Sequence, residues 1–249
     1  MTSPSRRLPW RDCVAPDGAL NSSAAAARLR RARQAGQTIG VLLSEETGLS
    51  LEQAYRVQDC LTAARLAAGE RRAGWKLGYT SEVMRAQMGI DSPNYGPLTD
   101  AMLLEASAVL PEGALQPRAE PEVGFWLRRR LTAPCTVQDV LDASQAALAC
   151  LEIVDSVWSG YRFTIADNTA DGSSAAWVVV GPPLPMDDLP TLQVELSVDG
   201  AVVERGCGAA AGGHPANGVI WLAGQLAGRD DALEAGDLII TGGLTSAHP

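Results

Sequence analysis

The chain has 249 residues, 46% hydrophobic and 20% charged, a balance that excludes disordered, collagen-like and coiled-coil chains and suits a buried core that needs no staples. Twenty Lys and Arg against twenty-nine Asp and Glu leave a formal charge of −9. Nucleic acid and anionic membranes are therefore poor partners, and an anionic substrate needs a metal ion or a local cation to draw it in. Five scattered cysteines without a C-x-x-C pair and only two histidines supply neither a disulfide framework, nor a zinc site, nor a His-based triad. No apolar run reaches membrane-spanning length, and no apolar signal segment follows Arg6 and Arg7, so the expected compartment is the cytoplasm.

Residues 1–20, with Pro4, Pro9, Pro16 and Gly18, read as a flexible or loosely docked arm. Residues 21–73 read as a helical N-terminal region. Asn21, Ser22 and Ser23 offer N-caps to an Ala-rich helix ending at Gly36, and Ser50 with Gln53 forms a capping box ahead of a second helix that stops at Gly69. Residues 74–249 read as a β-rich body. Trp75 to Tyr79 is a short strand, Ser81 caps a helix through Met88, and Pro93, Gly96 and Pro97 suggest a loop. Strands are expected at Leu98 to Leu104, Val109–Leu110 and Ala119 to Leu127. A helix from Thr136 is expected to run through Ala147 into Cys150 to Val154, a piece that periodicity leaves open between helix end and buried strand. Ala175 to Val180 is β-rich, Asp199-Gly200 turns a hairpin, Pro215 to Leu226 is a helix, and Leu238 to Thr241 is a strand. The order predicts an α+β chain with no solenoid repeat.

Four places carry possible chemistry. Glu120 and Glu122 at i and i+2 share one face of a strand, where two like charges become tolerable with a cation between them; a solvent-facing edge strand, favoured by Pro121, is the other reading. Glu152 sits in the apolar run Cys150 to Val154, costly to bury unless paired or metal-bound, or else it faces water at a helix end. Three carboxylates would make an all-oxygen site suited to Mg²⁺ or Mn²⁺. Lys76, the only lysine of the chain, lies between Trp75 and Leu77 as a candidate acid/base or a snorkelling surface residue. The polar stretch Asp167 to Ser174 is either an ordinary turn or a catalytic loop. The glycines at 206, 208, 212 and 213 lack dinucleotide-binding spacing, and Arg128–Arg130 and His214-Pro215 read as structural.

The segments Gly74-Trp75-Lys76-Leu77-Gly78, Leu98-Thr99-Asp100-Ala101-Met102, Gln116 to Glu122, Leu151 to Ser156, Gly213-His214-Pro215 and Thr241-Gly242-Gly243-Leu244-Thr245 together resemble the hydratase/decarboxylase branch of the fumarylacetoacetate hydrolase superfamily. The resemblance runs from about residue 24 to the C-terminus. It implies a small helical N-terminal part and a body of mixed, curved β-sheet. It implies Mg²⁺ or Mn²⁺ held by Glu120, Glu122 and Glu152, acid/base roles for Lys76 and Asp100, and substrate contacts from Arg118, Asp171, Ser174, Thr241 and Gly242. A small 2-oxo acid is the implied substrate, with hydration of a 2-hydroxydienoate in meta-cleavage catabolism of aromatics as the reaction, decarboxylation of 4-oxalocrotonate as the alternative, and homo-oligomers as the rule. The pathway's hydratase and decarboxylase are expected to associate, so a non-catalytic partner subunit is a further alternative. A C–C bond hydrolase would need an upstream histidine base that the chain lacks. Val157 stands where the resemblance implies Arg, and Gly172 where it implies Asn. A last β-segment after the Thr-Gly turn is expected to be missing.

Overall fold

The computed structural model describes residues 10–16, 18–229 and 231–249. Its elements are, in order, α1 (Ser22–Gln34), α2 (Leu43–Thr47), α3 (Leu51–Ala67), β1 (Arg72–Gly78), α4 (Glu82–Met88), β2 (Asn94–Thr99), β3 (Leu103–Glu105), β4 (Arg118–Leu127), α5 (Val137–Ala143), β5 (Ser144–Val154), α6 (Ile165–Ala170), β6 (Ala175–Leu184), β7 (Gln193–Val198), β8 (Ala201–Cys207), α7 (Pro215–Ala227) and β9 (Leu238–Ile240). Among the described residues no helix is long and apolar enough to cross a membrane.

Seven strands form one mixed sheet in the order β2-β1-β9-β4-β5-β6-β3, while β7 and β8 pair as a separate hairpin. The long central pair β4 and β5 is antiparallel, and short β9 joins it to β1. Alternation sends Val123, Phe125 and Leu127 to one face, where they pack with Val140 of α5 and Val219, Leu222 and Leu226 of α7. The other face carries Glu120, Glu122 and Glu152 beside a small apolar floor that includes Leu148, Cys150 and Ile240. A second core binds α1 and α3 to α6 and Trp158. The arm's described part is docked, not loose: Trp10 is fully buried against Trp158, and its Nε1 donates to Val41 O at 2.9 Å. Residues 1–9 and Asp17 of the expected arm lie outside the described residues.

Several expected elements change. Asn94 to Thr99 is a strand despite Gly96 and Pro97, because β2 is the sheet edge and an edge strand tolerates a missing N–H. Val109 is exposed outside any strand. The helix from Thr136 ends at Ala143, where Ser144 Oγ donates to Val140 O, and the chain continues at once as β5. Burial between β4 and β6 overrides the helical preference of its alanines. Residues 165–170 form a buried helix capped by Thr164 and Asp167. After β9 the chain folds back beside β4, with Leu244 N donating to Pro121 O at 2.9 Å and Ala119 exchanging both backbone bonds with His248.

Candidate metal centre and active site

The register of β4 and β5 builds the centre. Glu120 lies opposite Glu152, and Glu122 lies opposite Cys150, so all three carboxylates emerge on one face. One oxygen from each lies within 4.8 Å of the others. Pro121 fits inside β4 because its carbonyl, and therefore its missing N–H, faces Leu244 and not β5. Glu122 and Glu152 are buried, whereas Glu120 is half-buried at the cleft. Gly242 N donates to Glu122 Oε2 at 2.7 Å. Glu122 Oε1 and Glu152 Oε1 have no hydrogen-bond partner, and Glu152 Oε2 meets the Lys76 ammonium. Buried carboxylate oxygens left without donors are costly unless a cation takes them. Three hard oxygen donors with one side open to a cleft fit a divalent ion that keeps water or substrate in its remaining positions.

Lys76 completes the cluster from β1. Its Nζ donates to Ser173 O at 2.9 Å and Ser173 Oγ at 3.3 Å, and makes an ion-pair contact of 3.2 Å with Glu152 Oε2. Burial opposes its charge, but Glu152, Glu120 and Glu122 outweigh burial and hold the ammonium above its ordinary pKa. Burial raises Glu122 well above the carboxylate range, with Glu152 and Glu120 adding repulsion, and burial pushes Glu152 up to about 7. Behind Lys76 a polar network runs from Ser173 Oγ to Asn94 Oδ1, from Asn94 Nδ2 to Asn168 Oδ1, and from Asn168 Nδ2 to Ser174 Oγ, each at 2.9 Å.

The centre opens into a cleft of about 440 Å³ whose wall includes Lys76, Arg118, Glu120, Tyr161, Asn168 and Ser174. Arg118 is held over the Tyr161 ring at 4.2 Å and makes no ion pair among the described residues, leaving its guanidinium free to meet an anion. Tyr161 OH is itself anchored on Val154 O at 2.9 Å.

Of the residues expected at the site, Lys76, Arg118, Glu120, Glu122, Glu152 and Ser174 come together. Gly242 and Thr241 support it from behind. Gly242 backs Glu122, and buried Thr241 donates its hydroxyl to Val123 O at 2.9 Å. Two expected residues are not brought to the cleft. Asp100 follows the end of β2 that pairs with Arg72, whereas Lys76 pairs with Gly96, and its carboxylate is taken by Arg71 N and Nε at 2.9 Å each. Asp171 is buried in an ion pair with Arg33, at 2.9 Å from Nη2, and accepts from Val157 N. Asn94, Asn168, Ser173 and Tyr161 were not singled out as site residues. The signal for Ser173 and Asn168 was their place in the polar stretch before β6; Asn94 had none, standing in an expected loop.

A family model described as the fumarylacetoacetate (FAA) hydrolase C-terminal family matches residues 82–249. The chain belongs to the fumarylacetoacetate hydrolase family. Within this family it is 38% identical over 224 residues to a 2-keto-4-pentenoate hydratase of Burkholderia vietnamiensis, covering 88% of this chain and 86% of that one. It is 34% identical over 230 residues to a 4-oxalocrotonate decarboxylase of Pseudomonas sp., covering 92% and 90%. Among solved members, the 4-oxalocrotonate decarboxylase of Pseudomonas putida G7 complexed with magnesium and adipate superposes with a TM-score of 0.86 at 32% identity, covering 92% of this chain and 89% of that one.

Proposed function

We propose that the chain is a metal-dependent lyase that hydrates 2-hydroxypenta-2,4-dienoate to 4-hydroxy-2-oxopentanoate. The observation that carries the reading is the cluster of Glu120, Glu122 and Glu152, with its unpartnered buried oxygens, beside the single lysine and at the mouth of a cleft. The names of the relatives in the hydratase group support the reaction. Mg²⁺ or Mn²⁺ held by the three carboxylates would supply a Lewis acid for the substrate's carboxylate and 2-oxygen.

The chain's own residues do the rest. Arg118 offers a positive group to the substrate anion, which the chain's net charge of −9 would otherwise repel. In the reaction the 2-hydroxyl loses a proton and C5 gains one, which conjugates the remaining alkene with the ketone. Water then adds at C4, its second hydrogen is balanced by a proton arriving at C3, and the net change is one water. Lys76 Nζ is the proton carrier: the ammonium gives a proton to C5 and, as the amine so formed, takes the one leaving the 2-hydroxyl; it then gives one to C3 and takes one from the incoming water, which restores the ammonium. Ser173 and Asn94 hold Nζ in place for these transfers. The floor of Leu148, Cys150 and Ile240 keeps the inner side of the centre free of competing polar groups.

The high structural similarity to a decarboxylase bound to adipate, a dicarboxylate, favours one second reading, loss of CO₂ from a 2-oxo diacid at the same centre. Purified protein with Mg²⁺ or Mn²⁺ is given freshly generated 2-hydroxypenta-2,4-dienoate, and 4-oxalocrotonate in parallel, with products identified by mass. A metal-dependent product heavier by one water supports the hydratase. Loss of CO₂ from the diacid, with the dienoate untouched, replaces it with the decarboxylase.

A further inference from the structure

Arg33, in the last turn of α1, is remote in sequence from every site residue, yet its guanidinium is spent on two buried carboxylates. Nη2 donates to Asp171 Oδ2 at 2.9 Å and to Asp155 O at 2.6 Å, and Nη1 reaches Asp155 Oδ2 at 3.3 Å. The side chains of Asp155 and Asp171 are 2% and 1% exposed, so neither can turn to water for compensation. Each aspartate also gathers backbone. Asp155 Oδ1 accepts from Leu115 N at 3.1 Å and Gln116 N at 2.7 Å, just ahead of β4, and Asp171 Oδ2 accepts from Val157 N at 3.0 Å. Arg33 therefore ties together the approach to the strand of Glu120 and Glu122, the exit of the strand of Glu152, and the residue that opens the turn before β6.

That turn is strained. Gly172, Ser173 and Ser174 follow one another with φ of 73°, 58° and 56°, a left-handed run in which two of three residues are serines. Ser173 O and Oγ in this turn are the hydrogen-bond acceptors of Lys76 Nζ. The turn is clamped at both ends: Asp171 is held by Arg33, and Ser174 O accepts Asp155 N at 2.9 Å.

We propose that Arg33 is a positioning residue for Lys76, acting through the Asp155–Asp171 clamp on the left-handed Ser173 turn. The proposal rests on the reading of Lys76 as the proton carrier. Arg33→Lys keeps a positive charge but cannot span both carboxylates. The double variant Arg33→Met/Asp171→Asn removes one charge of each sign, and the Asp155 carboxylate that remains keeps Leu115 N and Gln116 N as donors. Because Lys76 is the only lysine, lysine labelled with ¹³C at Cε gives one resonance in the wild type and in the double variant, and two in Arg33→Lys, where adding Lys76→Gln identifies the one that belongs to Lys76.

In the Mg²⁺-loaded protein both variants are expected to move that resonance at fixed pH. They should lower kcat by about tenfold or more while KM and Mn²⁺ affinity stay within about threefold. A lowered melting temperature with the Lys76 resonance and kcat of the wild type would overturn the proposal and leave Arg33 a purely structural residue. Failure of the hydratase reading shows separately, as a wild type without turnover or as Lys76→Gln with unchanged kcat; the resonance then decides alone, its displacement supporting the proposal and its constancy refuting it.

Discussion

Glu120 and Glu152 stand directly opposite each other on the antiparallel strands β4 and β5, with Glu122 two residues along on the same face. Like charges so placed destabilise a sheet. Here an apolar floor lies on their inner side, and among the described residues Lys76 contacts only Glu152 of the three carboxylates directly. The arrangement makes sense as a site strained without its ion and relaxed with it.

The first consequence is a pH dependence. In the metal-free protein Glu122 and Glu152 hold protons above the usual carboxylate range, Glu152 up to about 7, because burial disfavours their charge. The unfolded chain releases the same protons near pH ~4.3. Their stabilising contribution is therefore full below the unfolded value and lost as pH rises through the folded one. The metal-free melting temperature should fall between about pH 5 and about pH 8, and Mg²⁺ should restore it at the upper end, where the ligands are ionised. Thermal melts in chelator and in Mg²⁺ across this range check both halves.

Lys76→Gln should lower kcat by roughly 10²- to 10⁴-fold while Mn²⁺ still binds. Lys76→Arg should fail to rescue it, because a guanidinium does not give up its proton. Steady-state rates at saturating metal, with Mn²⁺ binding measured on the same samples, separate the lost proton carrier from a lost ion.

Gly242 supplies the amide that holds Glu122, at φ 98°, and a Cβ there would sit 2.2 Å from Thr80 Oγ1. Gly242→Ala should cost about 1–3 kcal/mol and weaken Mn²⁺ binding. Gly236, at φ 93° with open space around it, is the control: Gly236→Ala bears the backbone strain but leaves metal affinity at the wild-type value. Melting curves and Mn²⁺ titrations of the two variants make the comparison.

Asp100 is bound by Arg71 at the surface, away from Lys76. Asp100→Asn should leave kcat within about twofold of wild type. A loss as large as that of Lys76→Gln, in the same assay, would return Asp100 to the chemistry.

The carboxylate pair was legible because strand alternation makes i and i+2 a geometric statement. Glu152 was legible only as an expensive residue in an apolar run, since a short run of that kind suits helix and strand alike until β4 and β6 are seen on either side. β2 was hidden by Gly96 and Pro97, whose breaking effect vanishes at a sheet edge. α6 was hidden by its length and its buried polar residues, and Asp167 is accommodated only because Ser44 and Thr164 donate to it from distant and local chain. The Arg33 clamp joins residues more than 120 positions apart, a relationship that no local pattern encodes. Asp100 is the opposite case: the resemblance places it at the chemistry, while its strand carries it to Arg71.

The most direct measurement of the central claim is Mn²⁺ binding to the wild type and to Glu122→Ala, followed by the loss of free-ion electron paramagnetic resonance signal. The account predicts one ion per chain in the wild type and no measurable site in the variant. Unchanged Mn²⁺ affinity in Glu122→Ala would contradict it and place the ion elsewhere.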